Sequence, residues 1–385
     1  MTTAPVHVRV GIVSWNTAGL LDRCLAALPA ALAGLEATIV VVDNASTDAS
    51  AVVAAGHRGV TVIRNADNVG YARAMNQALG TGGPSPGQPA ADATGDRDAA
   101  GAPRPAARAA AADVLIALNP DTEPPPGSLA ALAEHLCADP GLGLLAPRLV
   151  HPDGTVQHSV HRFPSPRQAA TVLLVPRWWQ RRTGIGRRWW TEGLVAHDRS
   201  VDVDWALGAV HVIRTAALDG AQPYSPRWFM YVEDLDLCWR LRRGGWRCRL
   251  DASVTVAHVG DASGRQAWGD ERATRWLDAT YDWYAGVHGR SAMRRWAAVN
   301  VVAVVVHGAA SAGRGLLGGT AAGTARHRAR ALVGLLPLHL RALWSGPPPL
   351  AGAPSGPALI HDAPASDRFG ASMPHPASRA SPDRR

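Results

Sequence analysis

A chain of 385 residues, 47% of them hydrophobic, is long enough to bury a sizeable core in one large domain or in a domain with appendages. Its formal charge is +8 and all 39 basic residues are arginine, a balance that suits anionic lipid, phosphate-bearing substrates or nucleic acid without choosing among them. The four cysteines, Cys24, Cys137, Cys238 and Cys248, form no CxxC pair, which argues against a zinc site or a disulfide framework and points to a reducing cytosol.

The N-terminus runs straight into a strand pattern, with no charged and apolar leader, so a signal peptide is not expected. Val6, Val8, Val10 and Ile12 alternate as a strand does, and Leu21, Leu25, Leu28 and Leu32 recur at helical spacing. Thr38 to Val42 is a β-branched strand ending at Asp43. A helix over Asp48–Ala55, a strand over Val60–Ile63 and a helix over Gly70–Leu79 follow. This alternation predicts a parallel sheet with right-handed crossovers. Residues 80–112 break the pattern with Gly, Pro, Ala, Asp and Arg and read as a disordered insertion. Val114–Leu118 resumes the sheet. Three prolines then precede Ser128, which is positioned to cap a helix through Leu136, and Leu142–Ala146 reads as the next strand. Beyond residue 150, strands are expected at Val210–Ile213 and Val254–Val256. A helix over Leu235–Arg243 is closed by Gly244 and Gly245. Residues 297–306 are apolar but shorter than the roughly 20 residues a membrane span needs. Residues 346–385 read as a disordered tail, and no internal repeat is present.

Ligands of open parallel sheets bind at the carboxyl ends of the strands. Three polar clusters fall there: Ser14-Trp15-Asn16, Asp43-Asn44-Ala45-Ser46 and Asn119-Pro120-Asp121. Asp43 is either a turn residue or an acceptor for the imide N–H of uracil or thymine. Asn119-Pro120-Asp121 is either a tight turn or a loop whose Asp121 gives an oxygen to the hard cation that a nucleotide diphosphate needs. Glu233, Asp234 and Asp236 crowd three carboxylates into four residues. The plain reading is an acidic helix start with an Asp236–Arg240 pair; the sharper one makes Asp234 a general base for an acceptor hydroxyl. His258, closing a strand, is either structural or a metal ligand completing a site begun by Asp121.

The ordered set Val42-Asp43-Asn44, Asn68-Val69-Gly70-Tyr71 with Asn76, Leu118-Asn119-Pro120-Asp121, Asp204-Trp205 with Gly208, Phe229-Met230-Tyr231 with Glu233-Asp234, and His258 resembles glycosyltransferase family 2. Within it, the set is similar to the actinobacterial rhamnosyltransferase-like branch, over about residues 8–290. The resemblance implies a GT-A α/β fold: a mixed, mainly parallel sheet flanked by helices, with a C-terminal helical extension. The expected boundaries are 1–290 for the glycosyltransferase domain, 291–345 for a helical, membrane-associated extension and 346–385 for the tail. It implies an inverting transfer of a sugar, rhamnose favoured, from a dTDP- or UDP-sugar to a lipid-linked or cell-wall glycan. Galactofuranosyl or other hexosyl transfer, and a degenerate sugar-nucleotide binding protein, stand as alternatives. Ser14, Asn16, Asp43, Asn44, Asn68, Gly70, Asn76 and Asn119 then belong to the donor site. Asp121 and His258 hold Mg²⁺ or Mn²⁺, Asp234 is the catalytic base, and Asp204, Trp205, Gly208 and Glu233 lie on the acceptor side. The sequence departs from the family pattern at Asn119, which replaces an acid, at Leu207 and at Asp261.

Arg177-Trp178-Trp179 and Arg187-Arg188-Trp189-Trp190 lie in a stretch, 177–190, with no acid. Indole and guanidinium together suit an anionic membrane surface. With the apolar stretch 297–306 and the basic segment Arg326 to Arg341, this places the protein at the cytoplasmic, inner face of the plasma membrane. A nucleic-acid partner is not expected, since no nucleic-acid module is present and the carboxylate clusters repel phosphate.

Overall fold

The computed structural model describes residues 6–81, 112–193, 197–260, 272–316 and 322–345. The first half runs β1 (His7–Ser14), α1 (Ala18–Ala31), β2 (Glu36–Asp43), α2 (Ser50–Gly56), β3 (Val60–Arg64) and α3 (Tyr71–Ala78). It continues with β4 (Val114–Leu118), β5 (Thr122–Glu123), α4 (Ser128–Ala138) and β6 (Leu142–Val150). Next come β7 (Val160–His161), α5 (Pro166–Leu174), α6 (Arg177–Thr183), α7 (Ile185–Arg188), β8 (Val201–Val203), β9 (Trp205–Ala206) and β10 (Val210–Arg214). Helix α8 (Glu233–Arg243) leads into β11 (Arg247–His258), and α9 (Arg272–His288), α10 (Arg290–Leu316) and α11 (Ala322–Trp344) close the described chain.

The alternation read from the sequence explains how the layers form. Val8, Val10 and Ile12 of β1 are fully buried in one core with Leu21, Leu25 and Leu28 of α1 and Leu129, Leu132 and Leu136 of α4. Each such side chain contributes about 1.5–3 kcal/mol on burial. A second core joins Leu115 and Ala117 of β4 to Met75 of α3, Leu235 and Leu241 of α8, and Trp283 of α9. Helices therefore cover the sheet from both faces.

The main sheet runs β3-β2-β1-β4-β10-β6-β11-β5, with β8 also beside β11. β1 pairs in parallel with β2 on one side and with β4 on the other, so the order reverses at β1 and opens a crevice at the carboxyl ends of these strands. β10 runs antiparallel between β4 and β6, and β5 runs antiparallel to the end of β11. The sheet is thus mixed and mainly parallel, with C-terminal helices. β7 and β9 form a separate ribbon.

Several expectations change in detail. Ser128 is the first residue of α4 rather than its cap; Gly127, at φ 72°, occupies the cap position, and the Ser128 hydroxyl donates to the Pro125 carbonyl at 2.6 Å. The strand expected at Val254–Val256 is the end of the twelve-residue β11, because Cys248 and Leu250 face inward between exposed-side arginines and continue the alternation. The apolar stretch 297–306 is the middle of a 27-residue helix, α10, extended on the N-terminal side by Arg290–Trp296 and on the C-terminal side by an Ala-, Gly- and Ser-rich segment. By length and composition α10 is long and apolar enough to cross a membrane; it packs against α5, α9 and α11. The expected insertion (82–111 of it), Asp261 and the tail 346–385 lie outside the described residues.

Candidate active site

The crevice begins at the last residue of β2. Asp43 is buried, and its Oδ1 has no hydrogen-bond partner, leaving an acceptor unanswered. Its neighbours are wired into the protein. Asn44 Nδ2 donates to Asn68 Oδ1 at 2.8 Å, and Asn44 Oδ1 accepts from Asn65 Nδ2 at 3.0 Å and from the Val69 amide at 3.1 Å. Asn68 Oδ1 also accepts the Gly70 amide at 3.0 Å. Two asparagines thus fold the 65–70 loop over the end of β2. Gly70 is required there. It sits at φ 85°, and a Cβ would stand 2.5 Å from the Phe229 carbonyl oxygen, to which the Tyr71 amide donates at 2.7 Å. Asn76 grips the backbone of Tyr224 from both sides, at 2.6 and 3.1 Å. Ser14 shares a hydrogen bond with Thr17, and Asn16 Oδ1 accepts the Thr47 amide at 2.7 Å.

The pairing of β5 with β11 brings together residues 137 positions apart. His258 is opposite Thr122 in that ladder, so it lies beside Asp121. His258 Nε2 is 3.3 Å from Asp121 Oδ1, both side chains are buried, and the contact lacks hydrogen-bond geometry, so Nε2 has no partner. The other ring nitrogen, Nδ1, is 2.8 Å from Gln157 Oε1. Asp121 Oδ2 accepts the Gly260 amide at 3.1 Å. Burial pushes the Asp121 carboxyl up, but the adjacent His258 and the Gly260 amide more than offset it and hold it below the usual carboxylate range. Among the described residues no three His, Cys, Asp or Glu side chains gather into a group suited to a metal. A cation here would take two protein ligands and fill its shell from diphosphate and water, as small hard cations commonly do.

A third part is the start of α8. Tyr231 and Val232 precede it at φ 68° and 71°. Positive φ at a β-branched residue is costly and persists only where the surroundings enforce it. The strained turn places Glu233 and Asp234 in the first turn of the helix, both buried. Asp234 accepts the Leu235 amide at 2.7 Å and the Gly208 amide at 3.1 Å, yet burial outweighs these bonds and pushes its carboxyl up to about 6. Burial, then the charges of Asp234 and Asp236, push Glu233 well above its ordinary value, and its Oε2 is buried without a partner.

One loop joins these parts. Residues 206–209 receive a bond from His211 Nε2 at the Ala206 carbonyl, give the Leu207 amide to the Ser159 carbonyl, and accept the Asn119 amide at the Ala209 carbonyl. The same loop gives the Gly208 amide to Asp234. Tyr71 adds a bond from its hydroxyl to the Gly208 carbonyl at 3.4 Å. Burial, then the charges of Glu233, Asp234 and Asp121, push the Tyr71 phenol well above its ordinary value.

Residues 9–81 match the family model described as Glycosyl transferase family 2. Two relatives, the N-acetylglucosaminyl-diphospho-decaprenol L-rhamnosyltransferases of Mycobacterium tuberculosis strains CDC 1551 / Oshkosh and ATCC 25618 / H37Rv, are each 29% identical over 255 residues. The alignment covers 64% of this chain and 74% of each relative. The chain is thus similar to family 2 glycosyltransferases over residues 9–81 and to these rhamnosyltransferases over a longer stretch. A solved mannosyltransferase from Pyrobaculum calidifontis, in complex with GDP-Man and Mn²⁺, is similar in structure, with 16% identity, a TM-score of 0.48, and coverage of 89% of this chain and 88% of that one.

The motif residues divide into two kinds. Asp43, Asp121, Glu233 and His258 each carry a buried atom without a partner or a strained contact. Asn44, Asn68, Gly70 and Asn76 build the walls through backbone contacts. Asp204 is ion-paired with Arg162 at 3.3 Å and Arg242 at 3.5 Å and accepts the Phe163 amide, while Trp205 stacks on His161 and donates to the Arg162 carbonyl. These two side chains fasten the 161–163 segment to β9. The sequence pattern gives Gln157 and His211 no place and Tyr71 no role of its own. A glutamine in a polar loop carries no periodic signal, and the meaning of each hydroxyl or imidazole depends on the carbonyl it meets.

Proposed function

We propose that the enzyme transfers a sugar, rhamnose favoured, from a dTDP- or UDP-sugar to a hydroxyl of a lipid-linked glycan, with inversion at the anomeric carbon. The observation that supports this reading is the loop 206–209, which gives its Gly208 amide to the raised, buried carboxyl of Asp234 and accepts at Ala209 the amide of Asn119, two residues before Asp121. The unpartnered Asp43 Oδ1 suits the imide N–H of thymine or uracil, and Ser14, Asn16, Asn44, Asn68, Gly70, Asn76 and Asn119 shape the donor pocket around it. Asp121 and His258 would hold a divalent cation, Mg²⁺ or Mn²⁺, which would supply Lewis-acid stabilisation of the departing diphosphate. The fit rests on a buried imidazole nitrogen without a donor or acceptor beside a buried carboxylate.

Asp234 takes the proton of the acceptor hydroxyl as its oxygen attacks the sugar, in a single displacement without a covalent enzyme intermediate. The amides of Gly208 and Leu235 hold the carboxylate in place, and burial raises its basicity. Glu233 and Gly208 border the acceptor side; Asp204 and Trp205 support it by fixing the 161–163 segment. The lipid-linked acceptor is suggested by the name that the mycobacterial relatives carry. A division into a 1–290 catalytic domain and a 291–345 helical extension accompanies this reading.

The same reading places the protein peripherally on an anionic membrane at the cytoplasmic face. Trp178 and Trp179 of α6 are 64% and 48% exposed among exposed arginines. The His307 ring donates to the Leu173 carbonyl at 2.5 Å, which ties α10, with its exposed Val302, Val305 and Val306, to the end of α5. Apolar and cationic groups thus meet on neighbouring elements, as an interface with lipid headgroups requires. A screen of dTDP- and UDP-sugars with Mn²⁺ and polyprenyl-linked acceptors tests the activity. Transfer with one donor, lost on chelation, is the expected result; donor binding without hydrolysis or transfer would make this a sugar-nucleotide binding protein instead.

A further inference from the structure

We infer that Gln157 is a positioning residue of the cation site, fixing His258 in the tautomer whose Nε2 lone pair faces the metal. The inference rests on the metal reading of the Asp121–His258 pair. Gln157 sits in the turn after β6, where its amide donates to the Leu149 carbonyl at 2.9 Å and Val156 bridges to Val150. Its backbone is therefore anchored to the sheet. Its side chain reaches the His258 ring, with Oε1 2.8 Å from Nδ1.

A neutral imidazole has one N–H and one lone-pair nitrogen, and its partner decides which is which. The Gln157 carbonyl oxygen only accepts, so a His258 ring that gives up one proton to bind a cation keeps the other on Nδ1 and offers the Nε2 lone pair. That nitrogen is buried, has no hydrogen-bond partner, and stands 3.3 Å from Asp121 Oδ1, another lone-pair atom. Two buried lone-pair atoms this close repel each other unless a positive centre lies against both. Histidines that bind metals commonly give their second N–H to an outer acceptor in this way.

The far end of the amide is held as well. A Cβ on Gly260 would stand 3.2 Å from Gln157 Nε2, so the amide nitrogen packs against the bare backbone of Gly260, whose own N–H binds Asp121 Oδ2. Gly260, at φ 87°, thus serves both the carboxylate and the glutamine. The opposite amide orientation gives the opposite chemistry: the amide N–H would donate into Nδ1, Nε2–H would bond Asp121, and the pair would be an ordinary His–Asp contact.

Mn²⁺ binding to the full-length protein, measured by electron paramagnetic resonance in the presence of UDP or dTDP, separates these states. Gln157→Leu removes the acceptor and should weaken Mn²⁺ binding by about tenfold or more. Gln157→Glu keeps an acceptor in place and should retain binding. ¹⁵N NMR of His258 in wild type with Mg²⁺ and UDP should show the proton on Nδ1. Wild-type affinity in Gln157→Leu, loss of binding in a folded Gln157→Glu, or a proton on Nε2 in the Mg²⁺-loaded wild type each overturns the inference. If thermal melting shows that Gln157→Leu does not fold, the Glu variant and the NMR decide. If the wild type binds no Mn²⁺ with either nucleotide, the metal reading itself falls, and this role of Gln157 with it.

Discussion

Asp234→Asn should abolish transfer while changing stability in a manner that depends on pH. The buried carboxyl titrates at about 6 in the folded protein against an ordinary 3.8. Below pH 3.8 the folded and unfolded chains both carry the proton, and the group contributes nothing. Between these values the unfolded chain loses its proton first, so stability falls as pH rises. Above about 6 the full cost is present. At about 1.4 kcal/mol per tenfold change in acidity, that cost is about 3 kcal/mol. Asparagine has nearly the same shape and no charge, so it escapes this cost. Its amide, however, can accept from only one of the Leu235 and Gly208 N–H groups that Asp234 now satisfies, at 2.7 and 3.1 Å. The orphaned donor costs about 1–3 kcal/mol at every pH. The variant should therefore be less stable than wild type at pH 4 and equal or more stable at pH 8, a swing of about 3 kcal/mol. Relief of Glu233, which the Asp234 charge also pushes up, acts in the same direction. Urea titrations of both proteins at the two pH values measure the swing. Turnover should fall by about 10²–10⁴, with kcat/KM of the wild type dropping below about pH 6. A stability difference that does not vary with pH, or near-normal turnover in the variant, would refute the assignment of Asp234 as a buried, raised base.

Three further outcomes follow from the same geometry. Gly70→Ala should cost about 1–3 kcal/mol from φ 85° alone, with more from the clash with the Phe229 carbonyl, seen as a lower Tm and a raised donor KM. Asp43→Asn should weaken binding of UDP or dTDP by about tenfold, on the order of one lost charge-assisted hydrogen bond, and leave Tm little changed; calorimetry with the free nucleotides measures it. Wild type should co-sediment with anionic phosphatidylglycerol vesicles at low salt and release at high salt, and Trp178→Ala with Trp179→Ala should bind less; no binding at low salt would remove the membrane surface from the proposal.

Much of the catalytic core could be read along the chain. The alternation in β1 and β2, the leucine spacing of α1, and the order of polar clusters after β1, β2 and β4 are local patterns, and each maps to the element that the structure shows. The reading thinned beyond residue 150 because β7 and β9 are two-residue strands and because β11 alternates arginine with Cys248 and Leu250, which hides its inner face. Helix α10 is longer than the apolar stretch 297–306 because arginines before it, and alanine, glycine and serine after it, continue the helix while carrying little hydrophobic signal.

By itself, the sequence determined where groups capable of chemistry stand: acids and a histidine at strand and helix ends, glycines where the chain must turn, and an acid-free run of tryptophan and arginine. It did so because these are choices of side chain made position by position. Only the tertiary structure decided which of them meet. Asp121 and His258 are neighbours through the β5–β11 ladder, and Asp234 joins them through the 206–209 loop, since pairing register and packing bring together positions more than a hundred residues apart. It likewise decided that Asn44, Asn68 and Asn76 hold backbone and that Gln157 holds an imidazole, because the role of a hydrogen-bonding group is set by the partner the fold gives it.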